Sequence, residues 1–141
     1  MSYLLDTDVL SEGAKPQPDG AVLRWLLEHE QACYTSSLVA AELERGIARL
    51  PAGRRKQRLE KWLAELKAAL GARILPFDSS TAETWGQMLA ELEQRGQLPP
   101  HPDSYILATA KRHGLTLVTR NVSHYAGRGV PVLNPFTGAR H

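Results

Sequence analysis

Three carboxylates that lie far apart in the sequence each occupy a position from which an α/β fold would direct them toward one pocket. Asp6 follows a short apolar run, Glu42 lies among small and apolar residues, and Asp103 opens a helix-like segment. Two unit charges about 4 Å apart repel by roughly 4 kcal/mol at an effective dielectric constant of about 20. A fold that gathers three of them therefore needs a cation, and hard oxygen ligands suit Mg²⁺ or Mn²⁺. The set predicts a metal-dependent enzyme.

Short apolar segments alternate with amphipathic ones, and this alternation predicts the elements that position the acids. Strands are predicted at residues 3–6, 32–35, 73–77 and 115–119, and residues 131–133 are a candidate fifth strand. Ser36 or Ser37 can cap the helix after the second strand, and Ser79 or Ser80 can start a helix that runs to Gln94. Pro102 suits the first position of a helix that runs to His113. A further helix has an apolar stripe that should face the core or a dimer partner, made of Leu59, Trp62, Leu63, Leu66 and Leu70. Strands alternating with helices favour a central, mostly parallel sheet of four to five strands flanked by helices. Residues 1–141 should form this single three-layer α/β domain.

The predicted sheet would bring the acids to one edge. In open parallel sheets, sites collect at the carboxyl ends of the strands. Asp6 ends the first strand, and Thr119 and Asn121 end the fourth. Asp103 lies in the first turn of its helix, although helix capping alone would also explain an acid there. Taken alone, Glu42 would be an ordinary solvated glutamate on a helix, and only the joint pattern favours a functional role.

Composition narrows the class of protein. The chain has 141 residues, 43% of them hydrophobic and 23% charged, as expected for one globular domain. Cys33 is the only cysteine, so no internal disulfide can form, which favours a reducing compartment. We see no signal peptide and no apolar run of about 20 residues, and therefore expect a cytoplasmic protein without a membrane span. The five histidines show no zinc-binding spacing.

The net charge of +2 does not by itself indicate a nucleic-acid partner, but the charges are unevenly distributed. Basic side chains cluster between residues 45 and 61, with Glu60 as the one acid among them. A solvated helix face is the ordinary interpretation of such a cluster. A basic rim beside an acidic pocket would also serve an enzyme acting on a phosphodiester polymer.

An Asp-x-Asp phosphatase is an alternative, because Asp6-Thr7-Asp8 follows an apolar strand. In such enzymes the first acid is the nucleophile and the second the acid/base. They also need a lysine and a further acidic pair downstream. No acidic residue follows Asp103, which argues against this class.

Four segments in the same order resemble the PIN-domain family, and within it the VapC- and FitB-type toxins of bacterial toxin–antitoxin pairs. They are residues 4–12, 41–47, 103–110 and 117–121, and the resemblance extends through residue 136. It implies a Mg²⁺- or Mn²⁺-dependent ribonuclease with a parallel sheet between helices. It also implies an antitoxin partner that covers the site, and assembly as a homodimer or as a toxin–antitoxin hetero-oligomer.

Carried over residue by residue, the resemblance implies that Asp6, Glu42 and Asp103 are the catalytic, metal-binding acids. Thr119 and Asn121 match supporting positions, Asn121 standing where many members have a fourth acid. Two further positions differ from the family pattern. Asp8 stands where members usually have Asn, Ser or Thr, and His124 where they often have Asp. Asp8 is therefore a candidate supporting carboxylate, and Asn121 and His124 leave open whether one metal ion or two bind.

The basic residues near the helix that carries Glu42 are the candidates for guiding the RNA backbone. They are Arg45, Arg49, Arg54 and Arg55. A non-catalytic module that binds RNA or protein through the same fold is the second alternative to the ribonuclease. Metal-dependent cleavage that is lost when Asp6 is replaced would distinguish the enzyme from that module.

Overall fold

The computed structural model describes residues 1–141, and its strands form one parallel sheet. The strands are β1 (Tyr3–Leu5), β2 (Cys33–Ser36), β3 (Ile74–Leu75), β4 (Thr116–Val118) and β5 (Val132–Leu133), in the order β3-β2-β1-β4-β5. Every neighbouring pair of strands is parallel. The predicted sheet, including its fifth strand, is therefore confirmed.

Six helices connect and cover the strands. They are α1 (Thr7–Leu10), α2 (Gly20–Glu28), α3 (Ser37–Ala48), α4 (Arg54–Leu70), α5 (Ser79–Gln94) and α6 (His101–His113). β1 is the central strand, and Leu4 and Leu5 on it are almost completely buried. Parallel strands buried on both faces are expected to be continuously apolar, as β1 is. No helix is long and apolar enough to cross a membrane.

Local hydrogen bonds fix where the helices begin. The Ser36 hydroxyl accepts from the backbone N–H groups of Leu38 and Val39 and so caps α3, as the sequence suggested. α5 is capped by Asp78 rather than by the expected Ser79 or Ser80, because the Asp78 carboxylate accepts both the backbone N–H and the hydroxyl of Thr81 at 2.9 Å.

The start of α6 also differs slightly from the prediction. α6 begins at His101 with Pro100 as its N-cap, which puts Pro102 one position later than predicted. Asp103 still lies in the first turn, as expected.

The apolar stripe of α4 faces the core. Leu63 and Leu70 are buried, while Leu59, Trp62 and Leu66 pack against the core cluster and remain partly exposed. The stripe therefore packs against the core, which was the first of its two predicted roles.

The last residues fold back along β5. After a turn at residues 134–139, Val132 and His141 exchange two backbone hydrogen bonds of 2.9 and 2.7 Å, and Leu133 pairs antiparallel with Arg140. This C-terminal segment covers the outer edge of β5. The opposite outer strand, β3, has only two residues.

Candidate active site

Asp6 is the buried centre of a group of acids at the carboxyl edge of the sheet. It follows β1 directly, and its backbone N–H donates to the Val118 carbonyl at 3.0 Å. Its side chain is only 6% exposed. One carboxylate oxygen, Oδ1, accepts the Thr7 backbone N–H at 2.8 Å; the other, Oδ2, accepts the hydroxyls of Thr119 at 2.9 Å and Tyr125 at 3.2 Å. Three donors from different segments thus hold the orientation of this carboxylate.

The charge on Asp6 is costly in this position. Burial, and after it the nearby charges of Asp8 and Asp103, raise the pKa of its carboxyl from 3.8 to about 6, against the lowering effect of the hydrogen bonds. The fold therefore concentrates negative charge where solvent does not stabilise it. A strongly perturbed carboxyl of this kind is typical of a functional site.

Asp8 adds a second carboxylate two residues further along the chain, in the first turn of α1. Its Oδ2 accepts the Arg120 backbone N–H at 3.0 Å and the Thr119 hydroxyl at 3.3 Å. Its Oδ1 is buried and has no hydrogen-bond partner, and burial raises the pKa of this carboxyl as well. An unpartnered buried carboxylate oxygen is costly unless a cation or water reaches it.

Asp103 reaches the same edge from the first turn of α6. Its Oδ2 lies 2.6 Å from Nδ1 of His124, the residue that precedes Tyr125. Asp103 and Asp6 both act on the Tyr125 phenol, whose pKa is raised first by burial and then by these two carboxylates. Asp6, Asp8 and Asp103 therefore form one electrostatically coupled group, as the sequence predicted for the first and the last.

Glu42 lies on α3 at the exposed margin of this group. Its Oε2 accepts a hydrogen bond from the Thr7 hydroxyl, and Thr7 also lies next to Asp6 in the chain. The neighbouring Glu44 points elsewhere and pairs with Lys67 of α4 at 2.9 Å. Within this segment the structure thus brings Glu42, and not Glu44, toward the other acids.

Thr119 and Asn121, the polar residues predicted to support the acids, differ in burial and in their contacts. Thr119 is completely buried and its hydroxyl contacts both Asp6 and Asp8. The backbone N–H of Asn121 donates to that same hydroxyl at 3.0 Å, but the Asn121 side chain is exposed and bonded to none of the acids. The supporting contact expected of Thr119 is present, while a role for the Asn121 amide stays a prediction.

Tyr125 was missed by sequence reasoning, although its hydroxyl contacts Asp6 and its ring is completely buried. It follows a 3₁₀ turn, Val122–His124, that has no periodic pattern to predict its direction. A large aromatic residue in an otherwise polar turn was the one available signal that it packs inward.

The predicted RNA-guiding arginines do not all lie at the acids. Arg55 lines a groove of about 640 Å³ that also contains Thr7 and Glu42, together with two further basic residues, Lys15 and Arg58. Its lining also includes Leu43, Ile47, Leu59 and Trp62. Arg45, Arg49 and Arg54 are exposed on α3, at its end or at the start of α4, and do not line the groove.

The donors at this edge suit a hard divalent cation. They are carboxylate oxygens, one of them buried without a hydrogen-bond partner, and the charges of Asp8 and Asp103 raise the pKa of Asp6. The guanidinium of Arg120 lies 3.6 Å from the centre of the Phe136 ring, although its charge still lowers the pKa of Asp8. No three His, Cys, Asp or Glu side chains are already arranged to hold a metal ion. Glu42 is bonded to Thr7, and Asp103 to His124.

Comparisons with known proteins agree with this fold. The family model described as the PIN domain matches residues 3–126. A VapC ribonuclease, Y4jK of Sinorhizobium fredii, is 36% identical over 138 residues, covering 96% of this chain and 99% of that protein. The toxin FitB of Neisseria gonorrhoeae is 40% identical over 139 residues, covering 94% of this chain and 97% of that protein.

Solved structures give the same result. The crystal structure of FitAcB from Neisseria gonorrhoeae superposes with a TM-score of 0.88 at 37% identity, covering 95% of this chain and 98% of that chain. A toxin–antitoxin complex from Klebsiella pneumoniae superposes with a TM-score of 0.67 at 25% identity, covering 95% of this chain and 98% of that chain. The likeness therefore extends over nearly the whole molecule.

Proposed function

This chain belongs to the PIN domain family, and we propose that Asp6, Asp103 and Glu42 form the catalytic site with which it hydrolyses RNA phosphodiester bonds. The chain is a ribonuclease toxin of the VapC and FitB kind and pairs with a protein antitoxin. The observation that supports the site is the buried, coupled group of acids around Asp6, whose pKa is raised to about 6. The proposal places the activity in the cytoplasm and includes assembly as a homodimer or with the antitoxin.

A divalent cation, Mg²⁺ or Mn²⁺, would be held by Asp6 and Asp103, with Glu42 as a third ligand. When bound, such an ion makes a water molecule more acidic and neutralises charge that develops on the phosphoryl oxygens. The unpartnered Oδ1 of Asp8 gives this chain a further carboxylate oxygen beside the site. Whether one cation or two are needed would follow from the number of Mn²⁺ ions bound per chain.

The other residues of the site orient the acids. Thr119 donates to Asp6 and Asp8, and Thr7 donates its backbone N–H to Asp6 and its hydroxyl to Glu42. His124 contacts Asp103 through its Nδ1 atom, 2.6 Å from Oδ2. These contacts fix the carboxylates before substrate arrives, so that little reorganisation is needed during the reaction.

The substrate would approach along the groove that extends from Glu42 toward α4. Arg55 and Arg58 give this groove positive charge close to the acids, whereas Lys15 pairs with Glu12 at 2.8 Å. Basic side chains bind the phosphates of a nucleic acid without reading its bases, so this groove positions the strand and leaves sequence preference to other contacts.

An Asp-x-Asp phosphatase fits the contacts less well. In that class the second acid must be free to exchange a proton with the leaving group. The Oδ2 of Asp8 is instead held by the Arg120 backbone N–H and by Thr119, and its Oδ1 is buried. We expect neither phosphomonoester hydrolysis nor formation of a phosphoryl–Asp6 adduct.

Cleavage of RNA by the purified chain tests the proposal. We expect cleavage in the presence of Mg²⁺ or Mn²⁺, loss of cleavage in EDTA, and loss in Asp103→Asn with both metals present. Glu44→Gln is the matched control, because Glu44 is on the same helix as Glu42 but pairs with Lys67. RNA cleavage that is equal in the wild type and in Asp103→Asn would contradict the catalytic assignment. Binding of RNA without any turnover would favour the non-catalytic module.

A further inference from the structure

We propose that Tyr125 is a positioning residue whose hydroxyl holds the carboxylate of Asp6, beside that of Asp103, in the orientation that binds the cation. The inference rests on the proposed function, because it assigns a role toward the same cation site. It concerns a residue of the turn after β4, outside the acids themselves.

The contacts around Asp6 support this role. The Tyr125 hydroxyl lies 3.2 Å from Oδ2 of Asp6, and the Thr119 hydroxyl lies 2.9 Å from the same oxygen. The Thr7 backbone N–H holds the other oxygen at 2.8 Å. With donors on both oxygens, the carboxylate cannot rotate freely. Of its roughly four lone-pair sites, the one left on Oδ1 keeps a fixed direction.

The chain path brings two consecutive side chains to two distant acids. The Tyr125 backbone N–H donates to the Val122 carbonyl at 3.0 Å, which closes the 3₁₀ turn after β4. From that turn, Tyr125 reaches Asp6 on β1 and His124 reaches Asp103 on α6. The turn therefore contacts both principal acids, one directly after β1 and one on α6.

A phenol is chemically suited to this task. It donates a hydrogen bond but brings no positive charge, so it orients the carboxylate without competing with the cation. Hydroxyl and amide partners behind metal ligands typically change metal affinity or activity by about 10- to 100-fold when they are removed. The Tyr125 ring is 0% exposed, so packing of the ring fixes the direction of the hydroxyl.

Tyr125→Phe tests the proposal, because it removes the hydroxyl and retains the ring. We expect the dissociation constant for Mn²⁺, measured by calorimetry or by electron paramagnetic resonance without RNA, to rise about tenfold. The Mn²⁺ concentration that gives half-maximal cleavage should rise by the same factor. Cleavage at saturating Mn²⁺ should return to within about threefold of the wild type, as expected of a residue that acts through Asp6.

Tyr3→Phe is the matched control. Tyr3 is also a buried tyrosine, on the same strand as Asp6 but at its opposite end, where it packs against Trp25. Tyr3→Phe also removes a phenol oxygen, but one far from the acids, so the Mn²⁺ affinity of this variant should equal that of the wild type. Thr119→Val, which removes the second donor on the same oxygen, should weaken Mn²⁺ binding as Tyr125→Phe does. It provides an independent test if Tyr125→Phe folds poorly by circular dichroism.

The outcomes separate this proposal from the proposed function. Equal Mn²⁺ affinity in the wild type, Tyr125→Phe and Thr119→Val would overturn the positioning role while the ribonuclease assignment stands. Weaker Mn²⁺ binding in both variants would support positioning, even if the wild type failed to cleave RNA and the ribonuclease assignment fell. RNA cleavage by a wild type that binds no Mn²⁺ would overturn both the cation site and the role of Tyr125.

Discussion

The residues at the two ends of β1 are buried to a similar degree, but those at one end are aromatic and those at the other are acidic. At the amino end Tyr3 is 5% exposed and packs against Trp25 and His29, with ring centres 4.8 and 5.2 Å away. At the carboxyl end Asp6 is 6% exposed and shares its surroundings with Asp8 and Asp103. The first arrangement buries apolar surface, whereas the second buries charge.

This difference shows where the fold gives up stability. An aromatic pair contributes about 0.5–1.5 kcal/mol beyond its buried area, so the amino end stabilises the strand. A shift of the Asp6 pKa from 3.8 to about 6 corresponds to a destabilisation on the order of 3 kcal/mol once the carboxyl is ionised. A buried charge that destabilises the free protein is expected where a bound ligand compensates for it. The carboxyl end of β1 is therefore the end at which we expect the ligand to bind.

Among the substitutions considered, Asp6→Asn should have the largest effect on the difference between the two ends of β1. Without this carboxylate we expect RNA cleavage to fall by at least about 100-fold, more than the loss of an outer hydrogen-bond partner would cause. The same variant should unfold at a higher temperature in EDTA, because it no longer buries a repelled charge. Cleavage assays and thermal melts measure the two effects on one sample. Reduced activity together with reduced stability would indicate a merely structural role for Asp6.

Trp25→Ala should give the opposite pair of effects. Removing this half-buried ring should lower the free energy of unfolding by about 2–4 kcal/mol, as losses of large core side chains do. Cleavage measured well below the melting temperature should not change, because Trp25 lies at the other end of the sheet. Urea unfolding and kcat are the measurements, and a fall in kcat for the folded variant would show that the two ends are coupled.

The pH dependence of stability should come from the carboxyl end. The folded protein binds the Asp6 proton more tightly than the unfolded chain, because the pKa is raised to about 6. This contribution to stability is complete below pH of about 4, is lost as the pH rises through about 6, and stays lost above that. In EDTA, the stability advantage of Asp6→Asn over the wild type should therefore grow between those values and level off above them. A constant difference across this range would contradict the raised pKa.

Glu42→Gln should have a smaller effect. Glu42 is exposed and held by one hydroxyl, so its loss should reduce cleavage by about tenfold and leave the melting temperature unchanged. The comparison with Asp6→Asn would show whether only the buried acid lowers the stability of the protein while supporting its activity. Glu42→Gln that is as inactive as Asp6→Asn would instead indicate equal catalytic roles for both acids.

Arg55→Ala should have the smallest effect. Arg55 lines the groove beside Glu42, and loss of one phosphate contact should raise KM about threefold at low salt with little change in kcat. Arg49→Ala, on a residue outside the groove, is the matched control. Equal effects of the two substitutions would argue against the groove as the path of the RNA.

The sequence was sufficient to predict most of the fold because its apolar periodicities are strong. The five strands and the long helices lie within a few residues of their predicted positions, and β1 and α6 carry Asp6 and Asp103 as expected. The errors are local. Asp78 and Ser79 are both good caps, and only the contact with Thr81 decides between them.

The site was less completely predictable. A side chain at a strand end or in the first turn of a helix has a direction that follows from the element, which is why Thr119 and Asp103 could be placed. Tyr125 follows a 3₁₀ turn, where direction depends on the tertiary path of the chain. The contact between His124 and Asp103 depends on the same path. The catalytic and metal-binding roles of the acids stay predictions until the variants are measured.

The C-terminal segment that folds back on β5 has a consequence for how the molecule can associate. An uncovered strand edge exposes backbone groups that can pair with another chain and extend the sheet. Here residues 140–141 occupy one edge, and the other edge is the two-residue β3. Growth by strand addition is therefore disfavoured at both sides. Partners of this protein, including a second copy, should bind through helix surfaces, and removal of the final residues should make the protein more prone to aggregate.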